Sequence, residues 1–527
     1  MRDPDLITSE LRHSSPQRQA GVVWIVCGLI GWLRPGGMLK ETLTMKIIIF
    51  LCLCIFLTRA KSGKLDPDPP SSNNANSDVT VGYFWHLSDL HLDFYYDQNE
   101  ENLTQVCPSS FGAEAIKPGP WGDYKCDSPW NLINASVYAM KKIKGDPDFI
   151  LWTGDDTLHT NDEDKYLGED VVIETISNLT SLLKEVFPTT TIYSTLGNHD
   201  YHPKNQMPVG NSTLLNGVAN LWQDWFTDKN SLEMFRSNGY YSTEVTPGLC
   251  VISLNTNIWY SSNHQIDEDD NDPGGQFQWL ENTLSEMKKN KEKAYVIGHI
   301  PPGYFEIIDG YMWLTSQYNT RYLEIVRSYS DVIVGQFFGH HHTDSFRLVY
   351  DGEKKPVSVI WIAPGVTPWM TTLPKVVNGA NNPGIRLFEY NKGSYAPTNY
   401  VQYYLNLAEA NTNGNTDWLE EYNAKSELQL QDIGAVSMNK LWETLNSADT
   451  NCPTCPENQM LQKYALYNSV SYNDVHCDET CQRDHVCAIG YLDKVAYEDC
   501  IRGDGNHLQQ SAVLLGFLSF FQVFFQV

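Results

Sequence analysis

The stretch TIYSTLGNHD, residues 191–200, contains a short apolar run that ends at Gly197 and is followed by Asn198, His199 and Asp200. An apolar run of this length, bounded by glycine and asparagine, is typical of a buried β-strand. Proteins that alternate strands and helices carry their functional residues just beyond the carboxyl ends of the strands. The amide, imidazole and carboxylate after this run therefore stand where such a protein has its site.

The same arrangement recurs at four other places. The polar endings are Asp89-Leu90-His91 after residues 81–87, Gly154-Asp155-Asp156 after 149–153, Gly298-His299 after 294–297, and Gly339-His340-His341-His342 after 332–338. Further strands are predicted at 249–254 and 357–362, and amphipathic helices at 131–144, 170–187 and 276–290. This alternation predicts a layered α/β fold with the polar residues at the carboxyl edge of one sheet.

The side chains at these endings share one kind of chemistry. They are carboxylates, an amide and imidazoles, without cysteine, and this mixture suits zinc, iron or manganese rather than calcium. One such histidine alone is more often structural, and one aspartate after a strand is commonly a helix cap. Five endings of this type in order along the chain predict a metal site.

Together the endings spell DxH, GD, GNHD, GH and GHxH, and over about residues 81–390 the chain resembles the calcineurin-like metallophosphoesterases. The resemblance implies an α/β protein built as a four-layer β-sandwich flanked by helices. It implies two metals, with ligands Asp89, His91 and His342 for one, Asn198, His299 and His340 for the other, and Asp155 as the bridge. Such a pair activates a hydroxide that attacks the phosphorus of a phosphodiester.

The second motif narrows the choice of metal. Purple acid phosphatases share this scaffold and bind ferric iron with a tyrosine where this chain has Leu158, so the resemblance favours two zinc ions per chain. His159 resembles the histidine that faces the leaving group in the acid sphingomyelinase branch. We expect His199 to protonate the leaving group, with Asp200 orienting its ring and His159 acting beside it.

Other stretches carry the resemblance further. Residues 121–130, 378–383 and 477–500 are similar to those of the acid sphingomyelinase-like phosphodiesterases. This similarity implies an enzyme that hydrolyses phospholipid or sphingolipid head groups or extracellular nucleotides. Two alternatives stay open: a phosphomonoesterase of the same fold, and a lipid-binding or receptor-modulating ectodomain in which catalysis is incidental.

The composition of the chain changes along its length. We predict a leader at residues 1–60 with its functional start at Met45, a linker at 61–80, a catalytic domain at 81–400, a helical cysteine-rich domain at 401–503 and a GPI-attachment segment at 504–527. Gly503 is the predicted lipidated residue. The protein is thus expected on the extracellular face of the cell membrane, anchored in the outer leaflet, and also in a secreted form.

The cysteines and the glycosylation sequons agree with export. Six cysteines suggest three disulfides: Cys107, Cys126, Cys477, Cys481, Cys487 and Cys500. Cys452 and Cys455 either pair or bind a metal, and Cys250 is expected to be a buried free thiol. The sequons are at Asn102, Asn134, Asn178 and Asn211.

The charge of the chain restricts its partners. The net charge of −27 argues against nucleic-acid binding, which needs a basic surface. An acidic protein that handles phosphodiesters requires a local positive centre, and two divalent metals would supply it. We expect the protein to act as a monomer.

Overall fold

The computed structural model describes residues 80–165, 167–267 and 269–503. The predicted leader, nearly all of the linker and the predicted GPI-attachment segment lie outside these residues. Among the described residues, no helix combines the length and the apolar composition needed to cross a bilayer.

The described residues form two mixed sheets. The first has six strands, in this order across the sheet: β12 (Leu419–Asn423), β11 (Pro397–Tyr404), β10 (Gly384–Asn391), β1 (Val81–Leu87), β2 (Phe149–Trp152) and β3 (Ile192–Ser194). Strands β1, β2 and β3 run parallel, whereas β10 pairs antiparallel with β1. All four residues of β2 are buried because both faces of the sheet are covered.

The second sheet also has six strands within the described part of the chain. Their order is β4 (Tyr241–Thr246), β5 (Leu249–Ser253), β6 (Lys293–Ile297), β7 (Ile333–Phe338), β9 (Pro356–Ile362) and β8 (Ser345–Tyr350). Strands β5, β6, β7 and β9 are parallel, and β4 and β8 are antiparallel edges.

Aromatic side chains fill the space between the two sheets. Phe84 from the first sheet lies 5.3 Å from Phe337 and 5.5 Å from Tyr295 of the second, measured between ring centroids. These rings contribute both apolar burial and favourable edge-to-face geometry. The sheets therefore pack face to face as a sandwich.

Helices cover the outer faces of the sandwich. Beside the first sheet lie α1 (Trp130–Ile143), α2 (Glu169–Val186), α3 (Thr213–Trp222) and α4 (Lys229–Asn238), and beside the second lie α5 (Gln276–Asn290) and α6 (Ser316–Ser328). In α2 the apolar residues recur every three or four positions, and one buried face results: Val172, Ile176, Leu179, Leu183 and Val186. The predicted four-layer α/β fold is confirmed.

The C-terminal segment differs in part from the prediction. The expected boundary at residue 400 falls inside β11, and the domain expected to be helical from residue 401 includes strand β12, which pairs with β11. Cross-strand pairing here outweighs the helix propensity of Leu-Glu-Glu. The remaining helices are α7 (Leu407–Asn413), α8 (Ala424–Glu427), α9 (Ala435–Asn446), α10 (Pro456–Asn468), α11 (Glu479–Gly490) and α12 (Lys494–Ile501).

The cysteines pair locally. The three predicted disulfides form as Cys107–Cys126, Cys477–Cys481 and Cys487–Cys500, and Cys452 pairs with Cys455. Cys250 is a buried free thiol, as expected. None of the four sequon asparagines is buried, so their glycosylation stays a prediction.

Removing the Cys107–Cys126 disulfide with two serine substitutions should lower the free energy of unfolding by about 3 kcal/mol, because the bond closes a loop of 19 residues' separation. Urea unfolding measures this loss. The matched control replaces Cys452 and Cys455, whose separation is only 3 residues, and should lose less. Equal losses for the two double variants would contradict the expectation.

Candidate active site

The predicted metal ligands meet in two adjacent sets. Atoms of Asp89, His91 and His342 lie within 4.8 Å of one another, and so do those of Asp155, His299 and His340. The residues follow β1, β2, β6 and β7, which belong to both sheets. The expectation that one sheet carries the whole site was therefore wrong, because the strands divide between two sheets whose carboxyl ends face the same cleft.

Asp155 lies between the two sets. Its Oδ2 is 3.5 Å from Nε2 of His91 and 3.0 Å from Nε2 of His299. Asn198 joins the second set, since its Oδ1 is 3.2 Å from Nε2 of His299. The seven sequence-predicted ligands are thus all brought together, with a single carboxylate touching both sets.

Backbone carbonyls fix the orientation of two ligand rings. Nδ1 of His91 donates to the carbonyl of Thr157 at 2.7 Å, and Nδ1 of His299 donates to the carbonyl of Thr153 at 2.8 Å. A carbonyl only accepts hydrogen bonds, so each Nδ1 carries a proton, and Nε2 is the nitrogen of each ring that faces Asp155. These carbonyls carry no sequence signal, and sequence reasoning could not have named them.

The backbone around the ligands is held in an unusual conformation. Asp89, His91, Asp155, His340 and His342 all have φ between 41° and 71°, the left-handed region. Each such residue costs of order 1–3 kcal/mol and persists only when its surroundings constrain it. Left-handed residues of this kind cluster at functional sites.

Position 197 requires glycine because its backbone lies very close to the side chain of Asp155. A Cβ on Gly197 would lie 2.0 Å from Oδ1 of Asp155. The same Oδ1 accepts a hydrogen bond from the backbone N–H of His199 at 2.8 Å. The glycine therefore lets the loop after β3 reach the bridging carboxylate.

The protonation states suit a cation. Burial holds the pKa values of His91, His340 and His342 well below their usual range, so these rings are neutral. For Asp155, burial is outweighed by the nearby His299, which holds the carboxyl pKa well below its usual value. His299 differs, because the neighbouring Asp155 outweighs burial and raises the pKa of this ring to about 9. Neutral imidazoles and ionised carboxylates are the forms that bind metal, so metal binding here would release a proton from His299.

The geometry of the donors also fits a metal. Nε2 of His342 lies 3.2 Å from Nε2 of His91, and Nδ1 of His340 lies 3.2 Å from Nε2 of His299. In each pair the two nitrogens are close enough to bind one metal ion together. Nitrogen and oxygen donors in this arrangement fit two transition-metal ions.

A carboxylate that sequence reasoning missed holds His159. Oδ1 of Asp127 is 3.0 Å from Nδ1 of His159, and Oδ2 accepts the backbone N–H of the same residue at 2.6 Å. Thr367 donates its hydroxyl to Oδ1 at 3.0 Å. Asp127 lies in the CDSPW stretch at residues 126–130, which carried part of the family resemblance. The pairing of Asp127 with His159 is evident only in the folded structure.

The role expected for Asp200 was wrong. Its carboxylate accepts backbone N–H groups of Asp155, Asp156 and Gly197 at 2.7–2.9 Å, so it joins the loops after β2 and β3. Nδ1 of His199 is buried without a hydrogen-bond partner. The ring of His199 is therefore not oriented by Asp200, whereas that of His159 is oriented by Asp127.

Both histidines lie in a cleft with aromatic walls. The ring of Trp369 stacks on His159 at 3.8 Å with an interplanar angle of 10°, and His199 lies 4.3 Å from His159. Other lining residues are Asp155, Asn198, Tyr260, Phe305, Trp313, His340, His342, Leu373 and Asn381. The cleft thus joins the candidate metal centre to an apolar surface able to hold a substrate group.

Comparison with known proteins identifies the family. The calcineurin-like phosphoesterase profile matches residues 82–344, and the profile of the acid sphingomyelin phosphodiesterase C-terminal region matches residues 355–507. Human acid sphingomyelinase-like phosphodiesterase 3b is 46% identical over 429 residues, which cover 81% of this chain and 91% of that protein. The chain belongs to the acid sphingomyelinase-like phosphodiesterases. The enzyme class and the fold predicted for this family are therefore confirmed.

Other relatives of this acid sphingomyelinase-like phosphodiesterase differ in their named substrates. Human cyclic GMP-AMP phosphodiesterase SMPDL3A is 39% identical over 455 residues, covering 85% of this chain and 97% of that protein. Sphingomyelinase phosphodiesterase C of Dictyostelium discoideum is 37% identical over 429 residues, covering 80% and 92%. The shared chemistry among these names is hydrolysis of a phosphodiester.

Proposed function

We propose that this phosphodiesterase uses two zinc ions to hydrolyse phosphodiester bonds in membrane phospholipid or sphingolipid head groups or in extracellular nucleotides. The observation that carries the proposal is the pair of ligand sets joined by Asp155, whose Oδ2 approaches His91 and His299 at 3.5 and 3.0 Å. When bound, such a metal pair lowers the pKa of a water molecule to near neutrality and neutralises phosphate oxygens.

His159 is the proton donor for the leaving group in this proposal. Its Nδ1 is held by Asp127, so Nε2 is free to present a proton in the cleft. A carboxylate on Nδ1 also fixes the orientation of the ring that gives up the proton. The sequence predicted His199 to be the proton donor, with His159 acting beside it. We instead assign the role of proton donor to His159.

His199 then has a different task. Its backbone N–H donates to the bridging Asp155, and its ring lies beside those of His159 and His91, at 4.3 and 5.2 Å between ring centroids. Burial lowers the pKa of His199 well below its usual value, so the ring is neutral. A neutral ring here orients the phosphoryl group by hydrogen bonding.

The proposed location remains the extracellular face of the cell membrane, with a GPI anchor at Gly503 and a monomeric, glycosylated enzyme. The apolar tail of the sequence, its four sequons and its disulfides support this part of the proposal.

A comparison of diester and monoester substrates tests the proposed activity. We expect bis(p-nitrophenyl) phosphate to be hydrolysed with a higher kcat/KM than p-nitrophenyl phosphate, and zinc to restore activity after chelation. Faster turnover of the monoester would favour the phosphomonoesterase alternative. Parallel assays on sphingomyelin and on a cyclic dinucleotide then separate the two substrate classes.

The ectodomain alternative is tested in cells. If catalysis is the function, a His199→Ala variant present at the cell surface should lose the biological effect together with hydrolysis. An effect that survives without hydrolysis would show that binding is the function.

A further inference from the structure

A buried ion pair lies behind the ligand segment 339–343, and the proposed reaction does not use it. The side chains of Glu306 and Arg347 are both 0% exposed, and Oε2 of Glu306 accepts a hydrogen bond from Nη2 of Arg347 at 2.5 Å. Although burial raises the pKa of Glu306, the charge of Arg347 holds it well below its usual value. Glu306 is therefore a carboxylate with strong acceptor oxygens.

This carboxylate contacts the ligand segment on both sides of His342. Oε1 of Glu306 accepts the hydroxyl of Thr343 at 2.7 Å, and Oε2 is 3.5 Å from Nδ1 of His341. Arg347 also approaches Nδ1 of His341 at 3.3 Å. The two residues that flank a predicted metal ligand are thus both in contact with the ion pair.

The segment needs such constraint because its backbone is strained. His340 and His342 have φ of 71° and 59°, and neither is a glycine. Conformations of this kind persist only where neighbouring groups over-determine them. The side chains of His341 and Thr343 transmit the position of Glu306 to these two residues.

The helical region reaches the same carboxylate through Asn468, the last residue of α10. Its Nδ2 donates to Oε1 of Glu306 at 2.8 Å and to the carbonyl of Asp344 at 2.9 Å. The backbone carbonyl of Asn468 accepts the N–H of Asp344 at 2.8 Å. Both side-chain protons of Asn468 are therefore committed to holding the end of the ligand segment.

We propose that Glu306, Arg347 and Asn468 are positioning residues for His340 and His342, through which the helical region sets the metal affinity of the centre. The inference rests on the metal centre of the proposed function. Groups that hold metal ligands in place typically change metal affinity or activity by about 10–100-fold when they are removed.

The test compares two asparagines of one helix in the full-length protein. Asn468→Ala removes the contacts to Glu306, whereas Asn458→Ala removes bonds to Cys452 and Gln462. The two residues are 4% and 1% exposed, so both substitutions affect a buried amide. Zinc retention in a titration with a competing chelator, together with the midpoint of thermal unfolding, is measured for each variant.

We expect Asn468→Ala to bind zinc about 10–100-fold more weakly and Asn458→Ala to bind it as the wild type does, with similar losses of thermal stability. Wild-type zinc retention in a folded Asn468→Ala variant would overturn the inference. A wild-type protein that binds no zinc would instead overturn the proposed function.

A second variant keeps the test decisive if Asn468→Ala does not fold. Thr343→Val replaces one hydroxyl with a methyl of similar size and removes only the donor to Oε1 of Glu306. Weaker zinc retention in this variant supports the positioning role. Unchanged retention by folded Thr343→Val contradicts it.

Discussion

Asp155→Asn should lower kcat/KM for a phosphodiester by about 10³-fold or more and should reduce the zinc bound per chain. The side chain approaches both ligand sets, so a neutral amide in its place would remove a negative charge that lies close to both candidate metal positions. A loss of about 4 kcal/mol of transition-state stabilisation corresponds to about 10³-fold in rate. Steady-state kinetics and metal analysis measure the two effects.

The adjacent Asp156 offers a matched control. It is also fully buried, but its Oδ1 accepts the indole N–H of Trp152 at 2.9 Å and it belongs to neither ligand set. Burial raises the pKa of Asp156 well above its usual value, and an amide resembles the neutral form that burial favours. Asp156→Asn should keep its zinc, and a loss equal to that of Asp155→Asn would contradict the bridging role.

His159→Gln should lower activity by an amount that depends on the leaving group. With an alkoxide leaving group, the expected loss is about 10²–10⁴-fold, since a general acid contributes that much. With p-nitrophenolate, which departs without a proton, the loss should be about tenfold or less. Asp127→Asn should follow the same dependence, because Asp127 holds the ring at 3.0 Å.

The control for this prediction is His199→Gln. A residue that orients the phosphoryl group should affect both leaving groups equally, so the ratio of the two rates should stay at its wild-type value. If His199→Gln shows the leaving-group dependence and His159→Gln does not, the two roles are reversed. Rates on bis(p-nitrophenyl) phosphate and on an alkyl diester supply the comparison.

The ligand-bearing strands could be predicted because their signals are local. Strands β1, β2, β3, β6 and β7 are short apolar runs, and each is followed at once by the polar ending that forms the site. The site residues could be predicted from these polar endings without knowing the sheet topology, because the carboxyl ends of all five strands meet at one cleft. None of these local signals indicates which of the two sheets a strand joins.

Strand β10 was not predicted, because it contains a charge that only the fold explains. Strand β10 includes Arg386, which is fully buried because it forms an ion pair with Asp344. A buried arginine is rare without a partner, and its partner lies 42 positions earlier in the sequence. The pairing of Asp127 with His159 could not be predicted for the same reason, because the two residues are 32 positions apart in the sequence.

Strand β1 is synthesised long before one of its two neighbours in the sheet. It pairs with β2 on one side, but on the other Val81 pairs with Asn391, more than 300 residues later. At about 5–20 residues per second, translation of that interval takes about 15–60 s. Until β10 is made, the edge of β1 that it will occupy has no partner in the chain, and an unpaired apolar edge can pair with a strand of another chain. The metal centre is delayed almost as long, because His342 must be made before its ligand set is complete.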